Sequence, residues 1–125
     1  MTIPILTVDT TGGAGIAAGS DTTPIPVRGF LDYVIVTYHQ NAPATTTVIL
    51  KDARGRELLK LSASNTDVEK YPHHPIHSSA DGSELANMAS MYYVAGPLTL
   101  EVTGCDPLEG AVTADVQMLT PHEID

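Results

Sequence analysis

The chain reads as an all-β protein: a single-domain antiparallel β-sandwich of the jelly-roll kind. Three observations predict this. Leu98, Leu100 and Val102 alternate with Thr99, Glu101 and Thr103. After a turn over Gly104–Gly110, Val112, Ala114, Val116 and Met118 alternate with Thr113, Asp115 and Gln117. Period two with one polar side marks antiparallel strands lying on a core. The second observation is Arg28–Asp52, which holds two runs, Phe30–Tyr38 and Thr46–Leu50, dominated by Val, Ile, Tyr and Thr. Such side chains suit a pleated, half-buried surface. The third is the recurrence of turn signals roughly every ten residues around about seven or eight short strands.

Taken in order, Thr2–Val8 is a short apolar run broken by Pro4, fitting an edge strand or an extended arm. Asp9–Thr23 (DTTGGAGIAAGSDTT) carries one large apolar side chain, Ile16. It reads either as a flexible arm or as an extended strand of small residues laid on another surface, its own or a neighbour's. Residues 1–23 are therefore set apart as a Gly/Ala-rich arm, and 24–125 as the sandwich. Pro24 and Pro26 introduce the long strand. There Leu31, Tyr33 and Ile35 are expected on one face, and Phe30, Val34, Val36 and Tyr38 on the other. Both faces are largely apolar, so cover on two sides is expected. Asn41 and Pro43 mark a loop, and Thr46–Leu50 is expected to return antiparallel to the long strand.

Asp52–Arg56 is a turn with Gly55 where a positive φ is needed. Glu57–Ala63 follows as the next strand of a hairpin. Ser64–Glu69 is a loop by composition. Tyr71–Ser78 (YPHHPIHS) holds two prolines and is expected to be an irregular edge strand. The helical turn that the pattern permits lies around Gly82–Met88. Tyr92–Ala95 is a short strand before Gly96-Pro97. The expected core comprises Leu31, Ile35, Val48, Leu50, Leu61, Leu98, Leu100, Val102, Val112, Val116 and Met118.

A domain of 125 residues buries roughly two-thirds of the surface its unfolded chain exposes, enough for a core without staples. One cysteine, Cys105, excludes an internal disulfide and reads as a buried small hydrophobe. The formal net charge of −9, from 15 acidic and 6 basic residues without a cationic run, argues against nucleic-acid and anionic-membrane partners. It favours solubility or a basic protein partner. Met1-Thr2-Ile3-Pro4 has no basic region and no long apolar run, so no signal peptide is expected. The chain has no span of about 20 apolar residues, so no membrane-spanning helix is expected either.

Residues with chemistry to offer are scattered. His73, His74 and His77, with His39 and His122, are the candidate metal ligands. No HExxH pattern or cysteine pair accompanies them, and solvent-facing or interface histidines are the better reading. Asp32, Asp52, Asp67, Glu69, Asp81, Glu84, Asp106, Glu109 and Asp115 lie in turns or on polar faces. Asp67 with Glu69, or Asp106 with Glu109, has oxygen ligands to offer Ca²⁺ but matches no loop of defined ligand spacing. Gly-x-Ser-x-Gly is absent, and Gly12-Gly13-Ala14-Gly15 lacks the preceding strand and following lysine of a phosphate loop. The expectation is no catalytic residue, no cofactor and no metal.

The order of short motifs is itself informative. A Gly/Ala/Thr-rich arm leads into Thr23-Pro24-Ile25-Pro26-Val27-Arg28-Gly29. Val36-Thr37-Tyr38-His39 and Ala42–Val48 follow, then Asn65-Thr66-Asp67, Tyr71-Pro72, Ile76-His77 and Val94–Leu100. This order resembles small β-rich virion proteins of tailed bacteriophages, of the capsid cement or decoration kind, over roughly Thr11–Met118. His73 stands where an arginine is expected after Tyr-Pro.

The resemblance implies a structural protein without catalytic residues. It would bind the outside of a phage head through the major capsid protein and stabilise it, as a homo-oligomer with a trimer favoured. It would be made in the host cytoplasm and reside on the virion. An extended arm of about 20 residues, reaching up to roughly 70 Å, would then cross to a neighbouring protomer. The alternative is a carbohydrate- or receptor-binding jelly-roll module of a phage fibre or tail. The absence of tryptophan weighs against it.

Overall fold

The computed structural model describes residues 4–77, 80 and 82–119. The described chain contains eleven strands. They are β1 (Ile5–Val8), β2 (Ala17–Thr22), β3 (Val27–Tyr38), β4 (Thr47–Lys51), β5 (Glu57–Leu61), β6 (Val68–Lys70), β7 (His73–His77), β8 (Glu84–Met91), β9 (Tyr93–Gly96), β10 (Thr99–Cys105) and β11 (Val112–Leu119). All pairings are antiparallel. One sheet runs β1-β11-β3-β6, with β9 beside the first part of β3. The second runs β2-β10-β4-β5, and β7 and β8 form a separate hairpin. The fold is the expected all-β sandwich.

Alternation explains how the two sheets close. In β11, Val112, Ala114, Val116 and Met118 are fully buried. In β10, Leu100, Val102 and Cys105 are buried. Val48 and Leu50 of β4 join them from the same sheet. Burying each of these Val, Leu and Met side chains stabilises the fold by about 1.5–3 kcal/mol, and the Ala114 methyl by less. Cys105 packs as the small hydrophobe expected of it.

Besides Val68 and Glu69, expected in a loop but paired with β3 as part of β6, four larger features differ from the sequence reading. First, β4 does not pair with β3. It pairs with β10 and β5 in the opposite sheet. Val34 and Val36 of β3 and Val48 and Leu50 of β4 all need burial. Stacking the strands across the core buries both inner faces, whereas side-by-side pairing would leave them to be covered from elsewhere. The loop between them is held by Thr46 Oγ1 donating to Pro43 O (2.7 Å) and Asn65 Nδ2 donating to Ala42 O (2.9 Å).

Second, β3 carries a bulge. Gln117 pairs with Tyr33, but Met118 pairs with Leu31. The extra residue, Asp32, reverses the inside–outside phase. Leu31 therefore faces inward with Val34, Val36 and Tyr38, while Phe30, Tyr33 and Ile35 are only partly buried. Ile35 is thus not a core residue. Leu61 is partly buried against the core, and the other nine expected core residues are buried. The bulge falls where the neighbour of β3 changes from β9 (opposite Val27–Phe30) to β6 (opposite Val34–Val36).

Third, the expected arm is built into the body over its described part. β1 ladders onto β11, burying Leu6 and Val8, and β2 ladders onto β10, burying Ala17. Of the two readings left open for Asp9–Thr23, the laid-down strand of small residues applies, and the surface is the chain's own. Thr10 accounts for the connection. Its N–H donates to Leu108 O (2.9 Å), and its hydroxyl donates to Asp106 O (2.6 Å) while accepting from Leu108 N–H (3.0 Å). Asp106 Oδ1 accepts from Gly15 N–H (2.9 Å). At Gly19 a Cβ would run into the Asp9 carbonyl oxygen, so only glycine lets β2 lie this close. Residues 1–3 of the expected arm lie outside the described residues.

Fourth, the helical turn expected around Gly82–Met88 is replaced by β8, which pairs along β7. The prolines of Tyr71–His77 exclude helix there, and the extended backbone they impose is a template for an antiparallel partner.

Leu100→Ala is expected to lower unfolding free energy by about 2–5 kcal/mol in urea titrations, since its side chain is buried between sheets. Gly19→Ala is expected to cost about 1–3 kcal/mol, because the obstructing atom is backbone rather than a movable side chain.

Candidate functional site

Several of the residues with chemistry are engaged in holding the fold. Asp67 Oδ1 accepts from Tyr38 N–H (2.8 Å), Asp9 Oδ1 from Gly110 N–H (2.7 Å), and Asp21 Oδ2 from Thr7 N–H (3.0 Å). Glu69 Oε2 accepts from the Tyr71 hydroxyl (3.1 Å), and this carboxylate raises the Tyr71 pKa above its ordinary value. Asp32 and Asp115 are half-buried on strands, and Glu109 is exposed in the β10–β11 turn. Asp81 lies outside the described residues, and the side chain of Glu84 is likewise undescribed.

Among the described residues, the histidine side chains do not converge. His73 Nδ1 lies 2.7 Å from Tyr71 O, and the His74 ring sits 5.1 Å from that of Tyr92. His39 Nδ1 accepts from Asn41 N–H (3.0 Å) in the β3–β4 loop. His77 belongs to β7 with its side chain undescribed, and His122 lies outside the described residues. Among the described residues, no three His, Cys, Asp or Glu side chains come together as a metal site would require. Asp67 and Glu69, and Asp106 and Glu109, form no such group either.

The Tyr38 hydroxyl is buried and makes no hydrogen bond among the described residues. Burial raises its pKa; a nearby Ser64 lowers it without reaching hydrogen-bond geometry, and the Asp67 carboxylate adds to the rise.

Two surface features remain. The first is the outer face of the five-stranded sheet. Ile5, Asp115, Ile35 and Glu69 stand abreast across β1, β11, β3 and β6. Next to this row, Tyr33 meets the ring of Tyr71 at 5.3 Å. Phe30 lies between Leu119 and Tyr93, in edge-to-face contact with the latter at 5.2 Å. Ile5, Tyr71 and Tyr93 are 60, 56 and 42% exposed. An apolar groove of about 230 Å³ borders Ile5 and is lined by Pro4, Pro24, Ile25 and Val27, with Ile25 74% exposed. The sequence reading anticipated a second apolar face on β3. It missed Ile5 and Ile25, which look like isolated apolar residues until β1 is placed beside β11.

The second feature is a cleft of about 450 Å³ between the β4–β5 turn and β9, lined by Asp52, Ala53, Arg54, Arg56, Tyr93 and Ala95. Asp52 builds the turn. Its Oδ1 accepts from Arg54 N–H (3.0 Å) and Arg56 N–H (2.9 Å), and its Oδ2 from Arg56 Nε (3.0 Å). Gly55 takes the expected positive φ of 81°. Arg56 then ties the turn to the other sheet. Its Nη2 donates to Tyr93 O (3.3 Å), and its guanidinium lies 4.8 Å over the Tyr92 ring. Partial burial by itself would raise the Asp52 pKa. The Arg56 and Arg54 amides and the Arg56 guanidinium outweigh this and hold the carboxyl below its ordinary 3.8.

The stabilising contribution of Asp52 is therefore fully present above its unfolded pKa and is lost as pH falls through the lower folded value. Asp52→Ala is expected to cost about 1–3 kcal/mol at neutral pH. The stability gap between wild type and Asp52→Asn should narrow as denaturation is measured from neutral pH to below 3.8. Tyr38→Phe is expected to leave thermal stability unchanged or raise it, since it removes an unsatisfied buried hydroxyl.

In comparisons with protein-family models, with curated proteins and with solved structures, the chain finds no match.

Proposed function

We propose that the chain is a structural virion protein, a cement or decoration protein that adheres to the outer surface of a tailed-phage head through the major capsid protein. The observation that carries this reading is the outer sheet face, where Ile5, Phe30, Tyr33, Ile35, Tyr71 and Tyr93 lie together. Exposed apolar and aromatic side chains rimmed by carboxylates (Asp32, Glu69 and Asp115) have the composition of an interaction surface. The order of motifs from Thr11 to Met118 supports the same reading. Adhesion needs contact area rather than chemistry, and several carboxylates elsewhere in the chain serve as caps for backbone N–H groups.

In this reading β1 and β2 belong to the body, so the adhesive surface is the sheet face and the adjoining Ile25 groove rather than an extended arm. A homo-oligomer, a trimer by preference, would repeat the contact around a shell threefold axis. A second reading, a carbohydrate- or receptor-binding module of a fibre or tail, is favoured by the cleft, where arginines and Tyr93 meet.

The test is co-sedimentation of the purified protein with undecorated phage capsids. Saturable binding at many copies per particle is expected. Ile5→Asp with Ile25→Asp is expected to weaken it by about 1–3 kcal/mol without unfolding the protein, since both side chains are exposed. No binding to capsids, together with retention on immobilised glycans, would favour the second reading. Light scattering of the free protein is expected to give the mass of a trimer.

A further inference from the structure

We propose that the cleft between the β4–β5 turn and β9 binds an extended, carboxylate-bearing segment of a partner polypeptide. The charge distribution is the first ground. The chain carries a net −9, yet two of its three arginines line this cleft and the third is a cross-strand neighbour of its wall. Arg54 and Arg56 line the cleft, and Arg28 sits directly opposite its Ala95 in the β3–β9 ladder. Cross-strand neighbours in such a ladder have Cβ atoms roughly 4.5–5.5 Å apart, so Arg28 borders the same opening. Asp52 neutralises Arg56 alone. Arg28 and Arg54 are exposed and make no ion pair among the described residues. Two uncompensated guanidiniums flanking a concave site fit carboxylates, which they bind in bidentate fashion.

The second ground is the backbone of β9. Among the described residues it pairs with β3 on one side only. Tyr92 O accepts from Leu31 N–H (2.8 Å), which fixes the side facing β3. Tyr93 O points the other way, where Arg56 bonds it. By strand alternation the N–H and C=O of Ala95 also point away from β3, into the cleft. An open donor–acceptor pair on a strand edge is a docking site for extended main chain. Anionic side chains and an extended backbone together specify an acidic peptide segment rather than a small anion. The exposed Tyr93 ring supplies an apolar wall beside it. This inference is independent of the virion reading, because it concerns a different surface and is tested without capsids.

The experiment is fluorescence anisotropy on the full chain with a fluorescein-labelled peptide of alternating Glu and Val. A Lys–Val peptide, a Glu–Val peptide N-methylated at alternate residues and sodium phosphate are the comparisons. The Glu–Val peptide is expected to bind and to weaken with added salt, while the Lys–Val peptide does not bind. Arg28→Glu with Arg54→Glu, checked for an unchanged circular dichroism spectrum and melting temperature, should weaken binding by about tenfold or more. The methylated peptide keeps its carboxylates but cannot pair with Ala95, and should lose a similar factor. Failure of the Glu–Val peptide to bind at about 1 mM, a free energy near −4 kcal/mol, would overturn the proposal. So would unchanged binding by the charge-reversed variant. Equal binding of the methylated peptide, or full competition by phosphate at equal concentration, would show a site for anions alone and overturn the assignment to an extended segment.

Discussion

The pairing of β3 with β11 is the interaction on which the rest of the structure depends. It runs from Val112 opposite Tyr38 to Leu119 opposite Phe30, and places a continuous inner row against the second sheet. On one flank it carries β1, on the other β9 and β6. Because both partners are buried on the inner side, a slip by one residue would expose the whole apolar row. The bulge at Asp32 is the one tolerated irregularity. It keeps Leu31 inside while its outward neighbours Phe30 and Tyr33 form aromatic contacts on the far face.

From that ladder the chain repeatedly crosses between sheets. β2 and β4 lie in one sheet with β3 between them in sequence but in the other, and β10 and β11 are likewise divided. Crossing leaves backbone N–H groups of loops and strand ends without ladder partners, and short polar side chains satisfy several of them. Asp9, Asp21, Asp52, Asp67 and Asp106 each accept from a main-chain N–H. Part of the acidic character of the chain is thus structural punctuation. The same need explains the Gly/Ala/Ser stretch of β2, where small side chains allow close approach to β1 and the following Asp9.

What remains on the surface divides into two kinds. The outer sheet face is aromatic and aliphatic, suited to burial against a broad partner. The cleft beside β9 is concave and cationic within an acidic molecule, and it has an open main-chain edge. The two meet at Tyr93, whose ring contacts Phe30 on one side and lines the cleft on the other. A partner covering the sheet face would therefore approach the cleft with its neighbouring chain segments, which links the two surfaces without requiring them to act together.

The sequence by itself determined most of the strands, β3, β4, β5, β7, β9, β10 and β11 among them, and which side chains of β10 and β11 face inward. It also determined that Asp52–Arg56 turns at Gly55. These are local properties: a period of two and turn chemistry are written within a few residues. Only the tertiary structure decided that β4 leaves β3 for the opposite sheet and that Asp32 reverses the phase of β3. It alone decided that β1 and β2 are laid on the body, and that Gly82–Met88 is drawn into a strand. Each of these depends on which distant surface is available for pairing, and alternation within a strand carries no information about its neighbour. The candidate surfaces follow the same division. A second apolar face on β3 was legible from Phe30, Tyr33 and Ile35. The cleft was not, because Arg28 and Arg54 are brought to the two sides of β9 only through the register of β3 with β9 and the fold-back of the β4–β5 turn against it.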